Sequence, residues 1–142
     1  MPNRLNIMDN EKLLFMGDSI TDCECRGLAK PLGYGYVQLL DSLITVCEPQ
    51  LSYEFVNKGV AGDTILDMKN RWETDLIAEK PDTIFIMIGV NDVLNRHLDE
   101  KKHLAVSDEV YETTYRDLLQ TTQERIHPRH IVLMEPTCLE FP

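Results

Sequence analysis

The chain has little positive charge, no long hydrophobic run and no apolar leader. Its 142 residues carry 14 lysines and arginines against 24 aspartates and glutamates, a net charge of −10. This balance repels phosphate backbones and anionic lipid, so nucleic-acid binding is not expected. No apolar stretch approaches the ~20 residues that span a bilayer, and the opening MPNRLNIMDNEK lacks the apolar core of a signal peptide. We therefore expect a soluble, cytoplasmic protein that does not bind membranes.

The cysteines are also few and do not form a metal-binding pattern. Cys23 and Cys25 are separated by one residue rather than the two of common zinc sites, and no second pair follows them. The other two, Cys47 and Cys138, are isolated in the sequence. Without a secretory signal we interpret all four as thiols and expect no metal site.

Four short apolar runs alternate with helical patterns along a chain that is 43% hydrophobic and has no internal repeat. The runs are LLFM at 13–16, YEFV at 53–56, TIFIMIG at 83–89 and IVLM at 131–134. Thr64 and Ser107 are predicted to cap the helices that precede the third and fourth runs. The first of these helices is expected to run from Ile65 to Leu76, because Ile65, Met68, Trp72 and Leu76 recur at helical spacing on one face. The order βαβαβαβ predicts one domain over residues 1–142. Its fold class is a three-layer α/β/α, doubly wound parallel sheet with the flavodoxin-like strand order, in which the second strand lies at an edge.

Three polar segments follow the first three strands. They are GDSIT at 17–21, NKGVAGDT at 57–64 and GVND at 89–92. In a parallel sheet the carboxyl ends of the strands face one crevice, which is where such folds bind ligands. We therefore expect the three segments to lie close together and to form the site.

These segments resemble blocks I, II and III of the SGNH, or GDSL-type, hydrolases, in the same order and at the same strand ends. MKNRWETDLIAEKPD and the region from Lys101 to Leu119 also resemble the branch with serine acetylxylan esterases and related carbohydrate deacetylases. The resemblance implies an esterase that cleaves small acyl esters, such as O-acetyl groups on carbohydrate, through an acyl-serine intermediate. It implies no cofactor.

The resemblance also implies a role for particular residues. Ser19 is the nucleophile, and the oxyanion hole consists of the N–H groups of Ser19 and Gly62 and the side-chain amide of Asn91. A residue without Cβ suits Gly62, and a neutral donor suits Asn91. Further candidates for lining the substrate pocket are Asp18, Asp22, Tyr34, Asp92 and His103, with Arg71 and Arg96 as additional possibilities.

The general base of the family, a histidine in an Asp-x-x-His block, does not occur in this sequence. Residues 94, 100, 124 and 127, which lie three places before the four histidines, are Leu, Glu, Glu and His. His127 and His130 precede the fourth strand and are expected at the opposite end of the sheet from Ser19. His97 and His103 lie on the correct side, in the loop after the third strand, and Glu100-x-x-His103 imitates the missing spacing. We favour a solvated loop histidine over a substitute base.

The missing block suggests that the domain lacks its last strand and helix and is incomplete at its C-terminal edge. The isolated chain is then expected to be nearly inactive. IVLM would form an apolar edge strand, which favours a homo-oligomer.

Other readings are a noncatalytic relative that binds an ester or sugar in the same crevice, and a flavodoxin-like phosphate binder. The negative charge and the shortage of glycines disfavour the phosphate binder. Ser19 could instead be a helix-start residue, and Asn91-Asp92 an ordinary turn. An aspartyl-phosphate enzyme using Asp18 is disfavoured because position 20, where a second acid is expected, is isoleucine.

Overall fold

The sheet has four parallel strands in the predicted order. A computed structural model describes residues 7–136. The strands are β1 (Glu11–Gly17), β2 (Tyr53–Gly59), β3 (Thr83–Met87) and β4 (His130–Leu133), arranged β2-β1-β3-β4. In this register Gly17, at the carboxyl end of β1, pairs with Gly59 on one side and Met87 on the other. The three polar segments therefore leave the sheet together, at the carboxyl ends of the strands, as expected.

Five α-helices connect the described strands: α1 (Ser19–Asp22), α2 (Tyr36–Cys47), α3 (Ile65–Asn70), α4 (Val90–His97) and α5 (Asp108–Arg125). A π-helical turn at Glu73–Ile77 follows α3, and a 3₁₀-helix at Asp99–Leu104 follows α4. Thr64 caps α3 in a full capping box with Asp67, and Ser107 caps α5, which confirms both predicted starts. None of these helices is long and apolar enough to cross a membrane.

Two apolar clusters cover the two faces of the sheet. On one face Leu14, Met16, Ile84 and Ile86 pack with Ile65 and Met68 of α3, with Trp72 at the start of the π-helical turn and with Leu118 of α5. On the other face Phe15 stacks on Phe85 with ring centroids 4.5 Å apart, and Val37 of α2 belongs to the same cluster. Side chains of β1 and β3 are thus buried on both faces, which explains their continuous apolar runs and confirms the three-layer fold.

Two predicted details of the connections are wrong. The helical pattern expected to run from Ile65 to Leu76 is interrupted, because α3 ends at Asn70 and Arg71 has non-helical angles (φ −108°, ψ 5°). The stretch after β3, predicted as a loop, forms α4 and the 3₁₀-helix. As a result His97 is the last residue of a helix and His103 lies in the 3₁₀-helix.

Candidate active site

Ser19 lies in the tight turn that follows β1. The Asp18 side chain caps α1, with its Oδ1 atom accepting the Ile20 N–H at 3.0 Å. The Asp18 carbonyl accepts the N–H groups of Thr21 and Asp22. Ser19 is the first residue of the helix and is exposed, and within residues 7–136 its hydroxyl has no hydrogen-bond partner. The turn therefore holds the backbone of Ser19 and leaves its oxygen open to a ligand.

The loop after β2 is attached to this turn. Val60 donates its N–H to the Gly17 carbonyl at 3.1 Å, and Ala61 donates its N–H to Oδ2 of Asp22 at 3.1 Å. Gly62 has φ +87°, the left-handed region that favours glycine. Its N–H donates to no atom of the described chain, and a Cβ at this position would meet nothing within 4 Å. Gly62 thus presents a free donor in open space.

Asn91 reaches the same loop from the first turn of α4. Its Nδ2 atom donates to the Asp63 carbonyl at 3.0 Å. Asp63 directly follows Gly62, so the side-chain amide of Asn91 lies one residue from the free N–H. A primary amide carries two N–H groups, and the second is left for a ligand. The structure therefore brings Gly62 and Asn91 together and attaches their loop to the segment of Ser19.

Three aspartates around the turn are buried. The exposed fractions of Asp18, Asp63 and Asp92 are 0%, 8% and 1%. Both carboxylate oxygens of Asp92 accept the Ile65 N–H, at 3.0 and 3.2 Å, so this side chain joins α4 to the start of α3. Burial raises the pKa of all three carboxyl groups, and backbone donors or Arg71 oppose the rise. Asp18 therefore stabilises the turn after β1, and Asp92 stabilises the position of α4 against α3.

The other residues considered in the sequence differ in their contacts, exposure and position. Asp22 holds the Ala61 N–H and belongs to the site's framework. Tyr34 is 68% exposed, and His103 is exposed in the 3₁₀-helix. His130 begins β4 and His127 precedes it, so both lie at the amino end of the sheet, as expected.

Asn57 has a role that the sequence did not indicate. Its Nδ2 atom donates to the carbonyls of Thr21 and Leu32, at 2.7 and 2.8 Å, and its Oδ1 atom accepts the Gly59 N–H at 2.9 Å. It thereby fastens the end of β2 to α1 and to the loop that follows. The asparagine that opens NKGVAGDT was the available signal, but its partners are main-chain atoms distant in sequence.

Residues 15–142 match the GDSL-like Lipase/Acylhydrolase family, and the chain belongs to this family. It is 42% identical over 144 residues to an acetylxylan esterase of Geobacillus stearothermophilus, a match that covers 96% of this chain and 64% of that protein. The crystal structure of that organism's Axe2 acetylxylan esterase is similar with a TM-score of 0.81 and 44% identity, over 92% of this chain and 61% of that one. LAE5, an alpha/beta hydrolase from the Lake Arreo metagenome, is 33% identical with a TM-score of 0.81, over 89% of this chain and 61% of its own.

The chain spans less than two thirds of the length of these relatives. Structures of Axe2 include three catalytic mutants, in which a serine, an aspartate or a histidine is replaced by alanine.

The burial of Asp18 in the turn can be tested through the pH dependence of the free energy of unfolding. Its Oδ2 atom is buried without a hydrogen-bond partner among the described residues, and burial raises its pKa. A raised folded pKa adds stability below the unfolded pKa of about 4, and this contribution is lost as pH rises through the folded pKa. Asp18→Asn keeps the acceptor for Ile20 and cannot ionise. The free energy of unfolding of the variant should therefore gain on that of the wild type as pH rises from about 3.5 to 7, by about 1.4 kcal/mol per unit of pKa difference.

Urea titrations across this pH range measure the difference. Asp117→Asn, at an exposed position of α5, is the control and should show no comparable gain. If the Asp18→Asn difference is the same at every pH, Asp18 titrates as it does in the unfolded chain.

Proposed function

We propose that this chain carries the nucleophile and the oxyanion hole of a serine esterase that removes small acyl groups, with O-acetyl esters of carbohydrate as the substrate class. One observation carries the proposal. An exposed Ser19, the free Gly62 N–H and the Asn91 amide are grouped at the carboxyl ends of the strands. The family and the acetylxylan esterase relatives support both the reaction and the substrate class. The same family and relatives favour this reaction over a noncatalytic binding role.

In the proposed reaction the Ser19 oxygen attacks the carbonyl carbon of the ester, and the carbonyl oxygen becomes an oxyanion. The N–H groups of Ser19, Gly62 and Asn91 would donate to that oxyanion, and such fixed donors act mainly in the transition state. The tetrahedral intermediate then expels the alcohol, which takes up a proton, and leaves an acyl group on Ser19. Water attacks the acyl carbon in the second half and releases the acid.

The first step requires an acceptor for the proton of the Ser19 hydroxyl. Among residues 7–136 this hydroxyl donates to no side chain. Enzymes that lose part of a catalytic triad keep about 10³- to 10⁴-fold acceleration over water from binding and the oxyanion hole. We therefore expect the 142-residue chain to acquire an acetyl group slowly and to release it slowly.

The decisive experiment treats the chain with p-nitrophenyl acetate and follows the acetyl group by mass spectrometry and peptide mapping. We expect one acetyl group on Ser19 and none at this position in Ser19→Ala. Joining the chain to the part of the Geobacillus esterase that it does not match should convert slow labelling into turnover. Ser42→Ala, which removes another exposed serine hydroxyl, is the control and should behave as the wild type.

Two results would contradict the proposal. One is p-nitrophenol release that is equal in wild type and Ser19→Ala. The other is a fused chain that folds, as shown by circular dichroism, and hydrolyses neither p-nitrophenyl acetate nor acetylated xylo-oligosaccharides.

A homo-oligomer and a cytoplasmic location are parts of the same proposal. In the described sheet β4 pairs only with β3, and Leu133 is 51% exposed, so its outer edge offers unpaired backbone groups to a second copy. Light scattering of the purified chain measures this association. Cys23, Cys25 and Cys47 are free thiols, which are usual in a reducing compartment, and cell fractionation tests the location.

A further inference from the structure

Arg71 lies behind the candidate active site and is the residue that directly follows α3. Only 16% of its side chain is exposed. Its guanidinium group donates hydrogen bonds to four different segments of the chain, and a planar, always charged fork is suited to such multiple contacts. This is the most extensively bonded side chain near Ser19.

Two of these contacts involve the segments that carry the proposed chemistry. Nη2 of Arg71 donates to the Gly17 carbonyl at 3.0 Å, and Gly17 lies two residues before Ser19. Nε donates to Oδ2 of Asp63 at 2.7 Å, and Asp63 follows Gly62 and holds the Asn91 amide through its carbonyl. One side chain therefore contacts both the segment of the nucleophile and the loop of the two other donors.

The remaining contacts fix the guanidinium group itself. Nη1 donates to the Lys58 carbonyl at 2.6 Å, near the end of β2, and to Oδ2 of Asp75 at 3.1 Å in the π-helical turn. These contacts approach the group from different elements, so its plane cannot rotate freely. The predicted helix is thus interrupted at the residue whose side chain bonds to the carboxyl-terminal ends of β1 and β2.

We propose that Arg71 is a positioning residue that sets the separation between Ser19 and the oxyanion donors Gly62 and Asn91, and that it acts through Asp63. The catalytic consequence rests on the proposed function, whereas the geometric consequence does not. A lysine at this position keeps the charge, but its single nitrogen cannot serve the carbonyls of Gly17 and Lys58 and the Asp63 carboxylate with the same fork.

The first test is the rate at which p-nitrophenyl acetate labels Ser19. Misplacement of reacting groups by about 1 Å can slow a reaction about 10²-fold, so Arg71→Lys should slow labelling by about that factor while the chain stays folded. Asp63→Asn, which keeps the size of the side chain and weakens the ion pair, should slow it as well. If Arg71 acts through Asp63, the double variant should be little slower than the slower single variant.

The second test measures position without any reaction. In ¹H–¹⁵N spectra of Arg71→Lys, we expect the Gly62 amide and the Asn91 side-chain amide to shift, while amides of β4 stay in place. Arg125→Lys is the control, because Arg125 also forms a tertiary ion pair, with Glu73 of the π-helical turn, but contacts neither site segment. All rates are measured below the unfolding transition of the least stable variant.

The outcomes separate this inference from the proposed function. A wild-type chain that never labels at Ser19 argues against the proposed function, and the amide shifts then decide the role of Arg71 alone. Unchanged Gly62 and Asn91 amides in folded Arg71→Lys would overturn the inference. Labelling at the wild-type rate in that variant, or purely additive effects of Arg71→Lys and Asp63→Asn, would overturn it as well.

Discussion

Asn91→Ala is expected to slow the acetylation of Ser19 by about 10²- to 10³-fold, the loss seen when one oxyanion donor is removed. The side chain makes one hydrogen bond, to the Asp63 carbonyl, and is only half-buried. Its removal should therefore change the free energy of unfolding by about 1 kcal/mol, the value of an ordinary hydrogen bond. A large loss of rate with a small loss of stability would identify a group that acts in the transition state.

Two further variants sharpen this prediction. Asn91→Asp has nearly the same shape but replaces the donor by a negative charge beside the developing oxyanion, so it should label even more slowly than Asn91→Ala. Val93→Ala, at an exposed position of the same helix, controls for damage to α4 and should label at the wild-type rate. If Asn91→Ala labels within about threefold of the wild type, the amide does not stabilise the oxyanion.

The layers of the fold can be predicted from the sequence, because a strand that is buried on both faces has apolar side chains at consecutive positions. LLFM and TIFIMIG lack alternation, and residues of these runs face apolar clusters on both sides of the sheet. The capped helix starts were equally clear, because the Thr64 and Ser107 side chains bond to N–H groups three residues away. Such local contacts depend on spacing alone.

Helix α4 was not predicted, for an equally physical reason. Its sequence VNDVLNRH is short and polar, and Gly89 at its start has φ +131° and makes no side-chain cap. Its first turn is held instead by Asp92, which bonds to the N–H of Ile65, and by Asn91, which bonds to the Asp63 carbonyl. These partners lie nearly 30 residues away in the sequence, so no local pattern reveals them.

The same distinction applies to the candidate site. The resemblance of three short segments to those of a family predicts Ser19, Gly62 and Asn91 as site residues. The residues that hold them at fixed positions, Arg71 and Asn57, bond mainly to backbone carbonyls of other segments. Any sequence supplies such carbonyls at every position, so only the folded chain shows which of them are used.

β2 lies so close to the turn that carries Ser19 that there is no room for a side chain at Gly59. A Cβ there would lie 2.1 Å from the Asp22 nitrogen and 2.5 Å from the Asp22 Cα atom. Both are backbone atoms, so no side-chain rotation can relieve the overlap. Either the end of β2 or α1 has to move, and α1 carries Ser19 at its first residue.

Gly59→Ala is therefore expected to lower the free energy of unfolding by about 3 kcal/mol, the upper end of the usual cost of overpacking a core. The displacement should also weaken the bond from the Ala61 N–H to Asp22, which attaches the Gly62 loop to the turn, so Ser19 labelling should slow as well. Gly27→Ala is the matched control, since its added Cβ would meet closely only the flexible end of the Glu24 side chain. Urea unfolding of the two variants measures the difference. Equal stabilities would mean that β2 and α1 can move apart without a loss of free energy of unfolding. The close approach at Gly59 would then not fix the position of Ser19.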